Sequence, residues 1–110
     1  MTYFFDTYAL IEIIKGNPDY KEYEKEDIIT TRLNLMELYY SLLRLFNEQI
    51  AERYFSFFLP SCVPVENRII KIAMKFRLEQ RKKRNLISYI DCIGYFVALQ
   101  NNVRILTGEK

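Results

Sequence analysis

The sequence predicts an α/β fold in which a short, mostly parallel sheet is covered by helices on both faces. Three short runs of aromatic and β-branched residues, TYFFD, DIITT and VRILT, alternate with longer segments of helical periodicity. Strands that are apolar throughout are typical of parallel sheets buried between two layers of helices. A chain of 110 residues, half of them hydrophobic, can form one packed core, so residues 1–110 are predicted to be a single domain.

The first half of the chain predicts strand, helix, strand and helix in turn. TYFFD is too short for a helix, and TYALIEIIKG follows it with helical spacing and ends at Gly16, a residue suited to a C-cap. Pro18 can begin a short acidic helix. After DIITT, the segment LMELYYSLLRLF continues at helical period. Asn34 is its predicted N-cap, and Glu37 follows three residues later as the partner in a capping pair.

The second half predicts three helices and two strands. A helix over residues 48–58 stops at Pro60, and SCVPV is a weak strand. A long amphipathic helix covers residues 66–83, with apolar and basic side chains on separate faces. Ser88 is predicted to cap the last helix, which ends near Asn101, and VRILT is the last strand.

Composition excludes several classes of protein. Half of the residues are hydrophobic and 27% are charged, which excludes a disordered chain. It has no histidine, which excludes Ser-His-Asp, Cys-His and HExxH sites, and no glycine-rich loop suggests ATP or a dinucleotide. Cys62 and Cys92 match no metal-binding or redox spacing, which favours buried, inert thiols in a reducing cytoplasm. No apolar run is long enough to span a membrane.

Three acidic residues, Asp6, Glu37 and Asp91, lie where apolar runs meet predicted helices, and Glu109 lies near the chain end. Carboxylates are the ligands that Mg²⁺ and Mn²⁺ prefer, and such metals support hydrolysis without an imidazole. Each acid also has a purely structural interpretation. Asp6 and Asp91 suit helix caps, Glu37 suits a polar helix face, and Glu109 suits a solvated terminus. A capped acid can also bind a metal, so the two interpretations are compatible.

Positive charge is concentrated in one segment although the net charge is only +2. Residues 68–84 contain eight Lys and Arg against the single acid Glu79. The end of this segment could bind a nucleic-acid backbone, or it could only solvate the end of a helix. The candidate RNA-binding residues are Arg77, Arg81, Lys82, Lys83 and Arg84.

Three segments together resemble the PIN-domain ribonucleases, in particular the small prokaryotic toxins of the VapC type. They are FFDTYALIEIIKGNP, LNLMELYYSLLR and RKKRNLISYIDCIGYFVALQNNVRILTGEK. The resemblance implies a three-layer α/β/α sandwich in which Asp6, Glu37 and Asp91 form an acidic cluster that holds one or two divalent metals. Glu109 lies where the family usually has Asp after a Leu-Thr-x turn, and Thr107 matches the polar residue of that turn.

The chain departs from the family pattern at three places. After the pair Asp6-Thr7, in which Thr7 is a supporting residue, the family often has Asn where this chain has Tyr8. Glu109 is one methylene longer than Asp, so its contact with a metal is expected to be shifted or indirect. The family usually continues with a final strand and helix beyond the position of Lys110, so the C-terminus is expected to be shortened.

The resemblance implies a Mg²⁺- or Mn²⁺-dependent endoribonuclease, the toxin of a toxin–antitoxin pair. Its expected partners are an RNA substrate, a cognate antitoxin and a second copy of the chain in a homodimer, with no membrane. The alternative is a degenerate PIN-like module that acts only through protein or RNA contacts. A phospho-accepting receiver domain is disfavoured because it needs paired acids after the first strand, where Asp6 stands alone.

Overall fold

A three-stranded parallel sheet forms the centre of the protein, whose computed structural model describes residues 1–107. The strands are β1 (Thr2–Phe5), β2 (Asp27–Ile29) and β3 (Arg104–Leu106), in the spatial order β2-β1-β3. Both pairings of β1 are parallel. The carboxyl ends of all three strands therefore lie at one edge of the sheet.

Within residues 1–107, five α-helices cover the two faces of the sheet. They are α1 (Thr7–Ile14), α2 (Arg32–Leu45), α3 (Glu48–Phe58), α4 (Asn67–Lys82) and α5 (Tyr89–Gln100). The predicted acidic helix after Pro18 is a 3₁₀ helix, Pro18–Tyr23, and a second 3₁₀ turn, Leu59–Ser61, follows α3. Gly16 adopts φ +74° just after α1, the left-handed conformation that favours glycine at a helix end.

Two hydrophobic cores lie on opposite faces of the sheet. Phe5 belongs to a core with side chains of α1, α2 and α3, whereas Phe4 belongs to a core with side chains of α4 and α5. Successive strand residues point to opposite faces, so adjacent phenylalanines in β1 contribute to both cores. Burying each of them stabilises the fold by about 1.5–3 kcal/mol. The predicted three-layer α/β/α architecture is confirmed.

Gly94 allows α5 to pack closely on β1. A Cβ atom built on Gly94 would lie 3.0 Å from Cε1 and 3.1 Å from Cζ of Phe4. These separations are below ordinary van der Waals contact, so a larger residue would push α5 away from the strand. The small side chain thereby sets the position of the N-terminal half of α5 relative to β1.

Two local predictions were wrong. Thr31, not Asn34, is the N-cap of α2, and its Oγ1 accepts a 3.2 Å hydrogen bond from the Asn34 N–H. The helix begins at Arg32, which places Asn34 within its first turn. The predicted SCVPV strand is reduced to one bridge between Thr30 and Cys62, and Pro64 cannot donate a backbone hydrogen bond to extend it.

Within residues 1–107, no helix combines the length and the apolar composition needed to cross a bilayer.

Candidate active site

The end of β1 places Asp6 at the carboxyl edge of the sheet. Its N–H donates a 3.2 Å hydrogen bond to the carbonyl of Leu106, the last residue of β3. Its Oδ1 accepts a 2.9 Å hydrogen bond from the Ala9 N–H, so Asp6 is the N-cap of α1. Thr107 follows β3 directly, so residues from two neighbouring strand ends meet here.

The first turn of α5 places Asp91 at the same edge. Ser88 caps this helix, as predicted, and its Oγ accepts a 3.0 Å hydrogen bond from the Asp91 N–H. The Asp91 side chain is exposed to solvent. Because Gly94 lies against Phe4, the helix begins close to the end of β1. The capping interpretation is thus correct for Asp6 as the cap of α1 and for Ser88 as the cap of α5.

Asp6 and Asp91 both line a cavity of about 670 Å³. Its polar lining includes Asp6, Asn34, Ser88, Asp91 and Thr107, and its remaining walls are formed by residues of β1, α4, α5 and β3 and of the loop before α5. Among the cavities of the described residues, a slightly larger one of about 710 Å³ lies beside β2. None of the predicted site residues lines that second cavity, whose acids Glu24, Glu26 and Asp27 lie before and at the start of β2, away from the carboxyl ends of the strands.

Glu37 lies behind this cavity and reaches it through other side chains. The Thr7 hydroxyl donates a 2.6 Å hydrogen bond to Oε1 of Glu37 and accepts a 3.1 Å hydrogen bond from Nδ2 of Asn34. The Thr31 hydroxyl in turn donates to Oδ1 of Asn34 at 2.7 Å. The four side chains form one hydrogen-bonded chain that joins α2 to the start of α1.

Asn34 is a site residue that sequence reasoning assigned to a different role. It is only 1% exposed, yet its amide group both donates to Thr7 and accepts from Thr31. A buried amide is stable only when its polar atoms are hydrogen-bonded. In the sequence, the only signal of this role is the spacing of Asn34 from Thr31. That signal is weak, because the same spacing is found in an ordinary capping pair.

The two acidic residues that line the cavity, Asp6 and Asp91, carry oxygen donors of the kind that small hard cations prefer. Within residues 1–107, no group of three or more Asp, Glu or Cys side chains is placed to hold a metal together. Mg²⁺ in phosphate-processing sites is commonly bound by one or two carboxylates, with waters and substrate phosphates as the other ligands. Asp6 and Asp91 are the two acidic residues among those that line this cavity. Glu109 lies outside the described residues.

Among the candidate RNA-binding residues, Arg77 is half-buried and contacts the loop before α5, whereas the other four are exposed. Nε of Arg77 donates a 2.9 Å hydrogen bond to the Ile87 carbonyl, and its guanidinium carbon lies 4.1 Å from the centroid of the Tyr89 ring. Arg77 therefore attaches the loop before α5 to α4. The remaining candidates are exposed at the end of α4, and they are Arg81, Lys82, Lys83 and Arg84.

Neither cysteine resembles an activated nucleophile. Burial raises the pKa of the Cys62 thiol and of the Cys92 thiol, while nearby arginines oppose that effect. A raised pKa leaves less thiolate at neutral pH. Both thiols are free, and Cys92 is buried although it borders the cavity.

Comparisons with known proteins agree with this architecture. The family model of the PIN domain matches residues 3–110. A solved toxin-antitoxin complex from Klebsiella pneumoniae superposes with a TM-score of 0.74, covering 97% of this chain and 86% of that chain. Its sequence is 18% identical, so this likeness shows a shared fold. No curated protein matches the chain significantly.

Proposed function

The chain belongs to the PIN domain family, and on that basis we propose that it is a metal-dependent endoribonuclease that hydrolyses RNA phosphodiester bonds. The observation that carries the proposal is the meeting of Asp6 and Asp91 in one cavity, although they are far apart in sequence. The cavity lies beyond the carboxyl ends of parallel strands, where ligands bind in such folds.

We assign Asp6 and Asp91 as the direct ligands of Mg²⁺ or Mn²⁺. When bound, the cation stabilises negative charge on the scissile phosphate and lowers the pKa of a water. Glu37 accepts a hydrogen bond from the Thr7 hydroxyl, so it orients the residue next to Asp6, and it would hold a water bound to the cation. Thr107 completes the polar lining, and Glu109 is proposed to add a further carboxylate.

Positive charge around the cavity offsets the repulsion between its acids and RNA. The N-terminal ends of α1 and α5 both lie at the cavity, since Asp6 caps one helix and Ser88 the other. Helix N-termini carry partial positive charge that favours carboxylates and phosphates. Exposed Lys82 is the last residue of α4, and exposed Lys83 and Arg84 follow it shortly before the cavity-lining residue Leu86. We propose that they steer RNA toward the acids, together with Arg81.

We further propose that the protein is a VapC-type toxin, inhibited by a cognate antitoxin and active as a homodimer in the cytoplasm. The toxin-antitoxin complex from Klebsiella pneumoniae supports this biological role through its shared fold. The free cysteines support a reducing compartment.

A non-catalytic PIN-like binding module is the second candidate. It is favoured by the finding that the described residues place only two acids in the cavity and no group of three that could hold a metal. In that case the protein would bind partners through the same surfaces without cleaving RNA.

Cleavage of RNA by matched variants separates the two candidates. Asp6→Asn and Asp91→Asn should each abolish Mn²⁺-dependent cleavage, because an amide is a much poorer ligand for the cation than a carboxylate. Asparagine is also a good N-cap, so Asp6→Asn should keep the fold. Asp19→Asn, in the exposed 3₁₀ helix, is the control that should cleave normally. Cleavage retained in both site variants would rule out this site.

A further inference from the structure

One edge of the sheet is left partly unpaired. β2 is an edge strand, and within residues 1–107 its outer side is bridged only at Thr30, just past its end. The Thr30 N–H donates a 3.1 Å hydrogen bond to the Ser61 carbonyl, and the Thr30 carbonyl accepts a 2.9 Å bond from the Val63 N–H. The backbone groups of successive residues point to alternate sides of a strand, so Ile28 also directs its N–H and carbonyl outward. In the same part of the chain, no backbone hydrogen bond reaches Ile28 on that side.

The chain that precedes the Thr30 bridge partner turns away before it reaches Ile28. A parallel continuation of the bridge would place residue 60 beside Ile28, but this residue is Pro60, within the 3₁₀ turn after α3. A chain in a 3₁₀ turn is not extended, so it cannot continue as a strand. The space beside β2 is instead the cavity of about 710 Å³ described above. Its apolar lining includes Ile28, buried Phe58 and the 69% exposed Phe57.

Negative charge is concentrated around this groove beside β2. Glu24, Glu26 and Asp27 belong to its lining, and among the described lining residues there is no lysine or arginine. The amino group of Met1 pairs with Glu26 at 2.9 Å, whereas neither Glu24 nor Asp27 forms an ion pair within residues 1–107. Both of these acids are exposed. The unpaired edge therefore combines free backbone groups, an apolar groove and negative charge.

We propose that this edge of β2 binds an extended, basic segment of a partner protein. The segment pairs with Ile28 as an additional strand, which gives the N–H and the carbonyl of that residue their hydrogen bonds. Its apolar side chains pack in the groove, and its lysines or arginines approach Glu24 and Asp27. The cavity that Asp6 and Asp91 line takes no part, so this inference holds whether or not the protein cleaves RNA.

The backbone and the charges together favour this occupant over others. RNA is disfavoured because its phosphates would meet Glu24 and Asp27. A second copy of the chain that paired along the same strand would bring the acids of two β2 edges together, which is destabilising. A helix uses its own backbone groups for internal hydrogen bonds, so it would leave those of Ile28 without partners. An extended basic segment satisfies the backbone, the groove and the charges at once.

Hydrogen exchange at single amides tests the strand pairing directly. The probe is a synthetic peptide of about seven residues in which lysine alternates with valine, added to the isotope-labelled protein. NMR follows exchange of the Ile28 amide, which points outward, and of the Ile29 amide, which points toward β1. One comparison peptide has glutamate in place of lysine. The other has a methyl group on every backbone nitrogen, so it keeps the side chains but cannot donate strand hydrogen bonds.

A pair of double variants tests the role of the charges. Glu24→Gln/Asp27→Asn removes two negative charges beside β2 and should weaken binding of the lysine peptide about 2- to 30-fold. Asp19→Asn/Glu79→Gln removes the same number of charges from exposed positions outside the cavity lining, and it should bind like the wild type.

A pair of single variants tests the apolar groove. Phe57→Ala removes an exposed ring from the groove and should weaken binding about fivefold or more. Phe46→Ala is the matched control, since Phe46 is 49% exposed and lies outside the lining of this cavity. It should bind like the wild type. Because both rings are exposed, both variants should fold.

The pattern of protection decides the outcome. At about 1 mM, the lysine peptide should slow exchange of the Ile28 amide at least about threefold and leave that of Ile29 unchanged. Neither comparison peptide should protect Ile28. Absence of protection by the lysine peptide, equal protection by the glutamate peptide, or wild-type binding by Glu24→Gln/Asp27→Asn would overturn the proposal. Protection of Ile28 that rises with protein concentration in the absence of peptide would identify a second copy as the occupant and would also overturn it.

Discussion

The Thr7 hydroxyl donates its hydrogen bond to Glu37 at 2.6 Å, which joins the first turn of α1 to the second turn of α2. Thr7 directly follows Asp6, so this hydrogen bond helps to fix the position of the Asp6 carboxylate at the end of β1. Asn34 donates to the same hydroxyl at 3.1 Å. The residue that sequence alone suggested as a metal ligand, Glu37, is thereby connected to the cavity through Thr7.

Removing this hydroxyl should affect both folding and the site. Thr7→Val keeps the shape of the side chain but leaves the buried amide of Asn34 without its acceptor, which should lower the free energy of unfolding by about 1–3 kcal/mol. RNA cleavage should fall as well, because the hydrogen bond from residue 7 to Glu37 no longer fixes the backbone next to Asp6. Urea unfolding and a cleavage assay measure the two effects. Thr7→Ser should retain both properties, and equal losses in Ser and Val would contradict the role of the hydroxyl.

Gly94→Ala should destabilise the protein because the added methyl group meets the Phe4 ring at about 3.0 Å. Overpacking of this kind costs about 1–3 kcal/mol. The double variant Phe4→Leu/Gly94→Ala should lose less free energy of unfolding than the two single variants lose together, because leucine leaves space for the added methyl group. A double-mutant cycle from urea unfolding measures the coupling, and strict additivity would show that the two residues do not clash.

Gly16→Ala is expected to destabilise for a different reason. A Cβ at Gly16 would meet no atom within 4 Å, but the residue adopts φ +74°. The cost should therefore come from backbone conformation, about 1 kcal/mol, and no change in a packing partner should relieve it. Gly16→Asn should recover part of the stability, because asparagine tolerates the left-handed region better than alanine. Thermal unfolding of the two variants provides the comparison.

Mn²⁺ should raise the melting temperature of the wild type in a saturable manner. A ligand at 100 times its Kd stabilises the native state by about 2.7 kcal/mol. Asp6→Asn and Asp91→Asn should lose this stabilisation, whereas Asp19→Asn should keep it. Melting curves over a Mn²⁺ titration, with Ca²⁺ and Mg²⁺ for comparison, give the measurement. Equal stabilisation of all four proteins would place the cation elsewhere.

Arg77 and the exposed cations after it should behave differently. Arg77→Met removes the hydrogen bond to Ile87 and the contact with the Tyr89 ring, so it should lower the stability by about 1–3 kcal/mol. Lys83→Ala should leave the stability nearly unchanged, because the side chain is exposed, and should weaken RNA binding with a smaller salt dependence. Unfolding and anisotropy measurements on both variants test the distinction. A stable Arg77→Met variant would show that the loop is held by other contacts.

The Cys62 thiol should react slowly with alkylating reagents. Burial raises its pKa in the folded protein, with Arg32 opposing the effect, so the rate of alkylation should reach its midpoint at a higher pH than in the urea-unfolded chain. Because the pKa of the Cys62 thiol is higher in the folded protein than in the unfolded chain, its contribution to the free energy of unfolding is fully present below the unfolded pKa of about 8.5. This contribution is lost as the pH rises through the folded pKa. Cys62→Ala should remove this part of the pH dependence above about pH 8.5. Alkylation at the same pH in both states would contradict the prediction.

Local sequence signals determined most of the secondary structure. TYFFD, DIITT and VRILT contain the three strands, Pro60 follows the end of α3, and Ser88 caps α5 as its hydrogen-bonding side chain predicts. These features depend on residues within a few positions of one another, which is the range over which propensity and capping act. The start of α2 was misplaced because Thr31 and Asn34 are both good caps, and only the backbone showed which of them lies outside the helix.

The tertiary structure decided the contents of the site. The sequence identified Asp6, Glu37 and Asp91, but packing decided that Asp6 and Asp91 line one cavity while Glu37 bonds to Thr7 behind it. Packing also placed the Arg77 guanidinium over the Tyr89 ring and Tyr95 between two cavities. The physical reason is that pattern and propensity report which face of an element is buried. Which side chains of different elements meet depends on how closely those elements approach each other. Gly94, for example, allows α5 to approach β1.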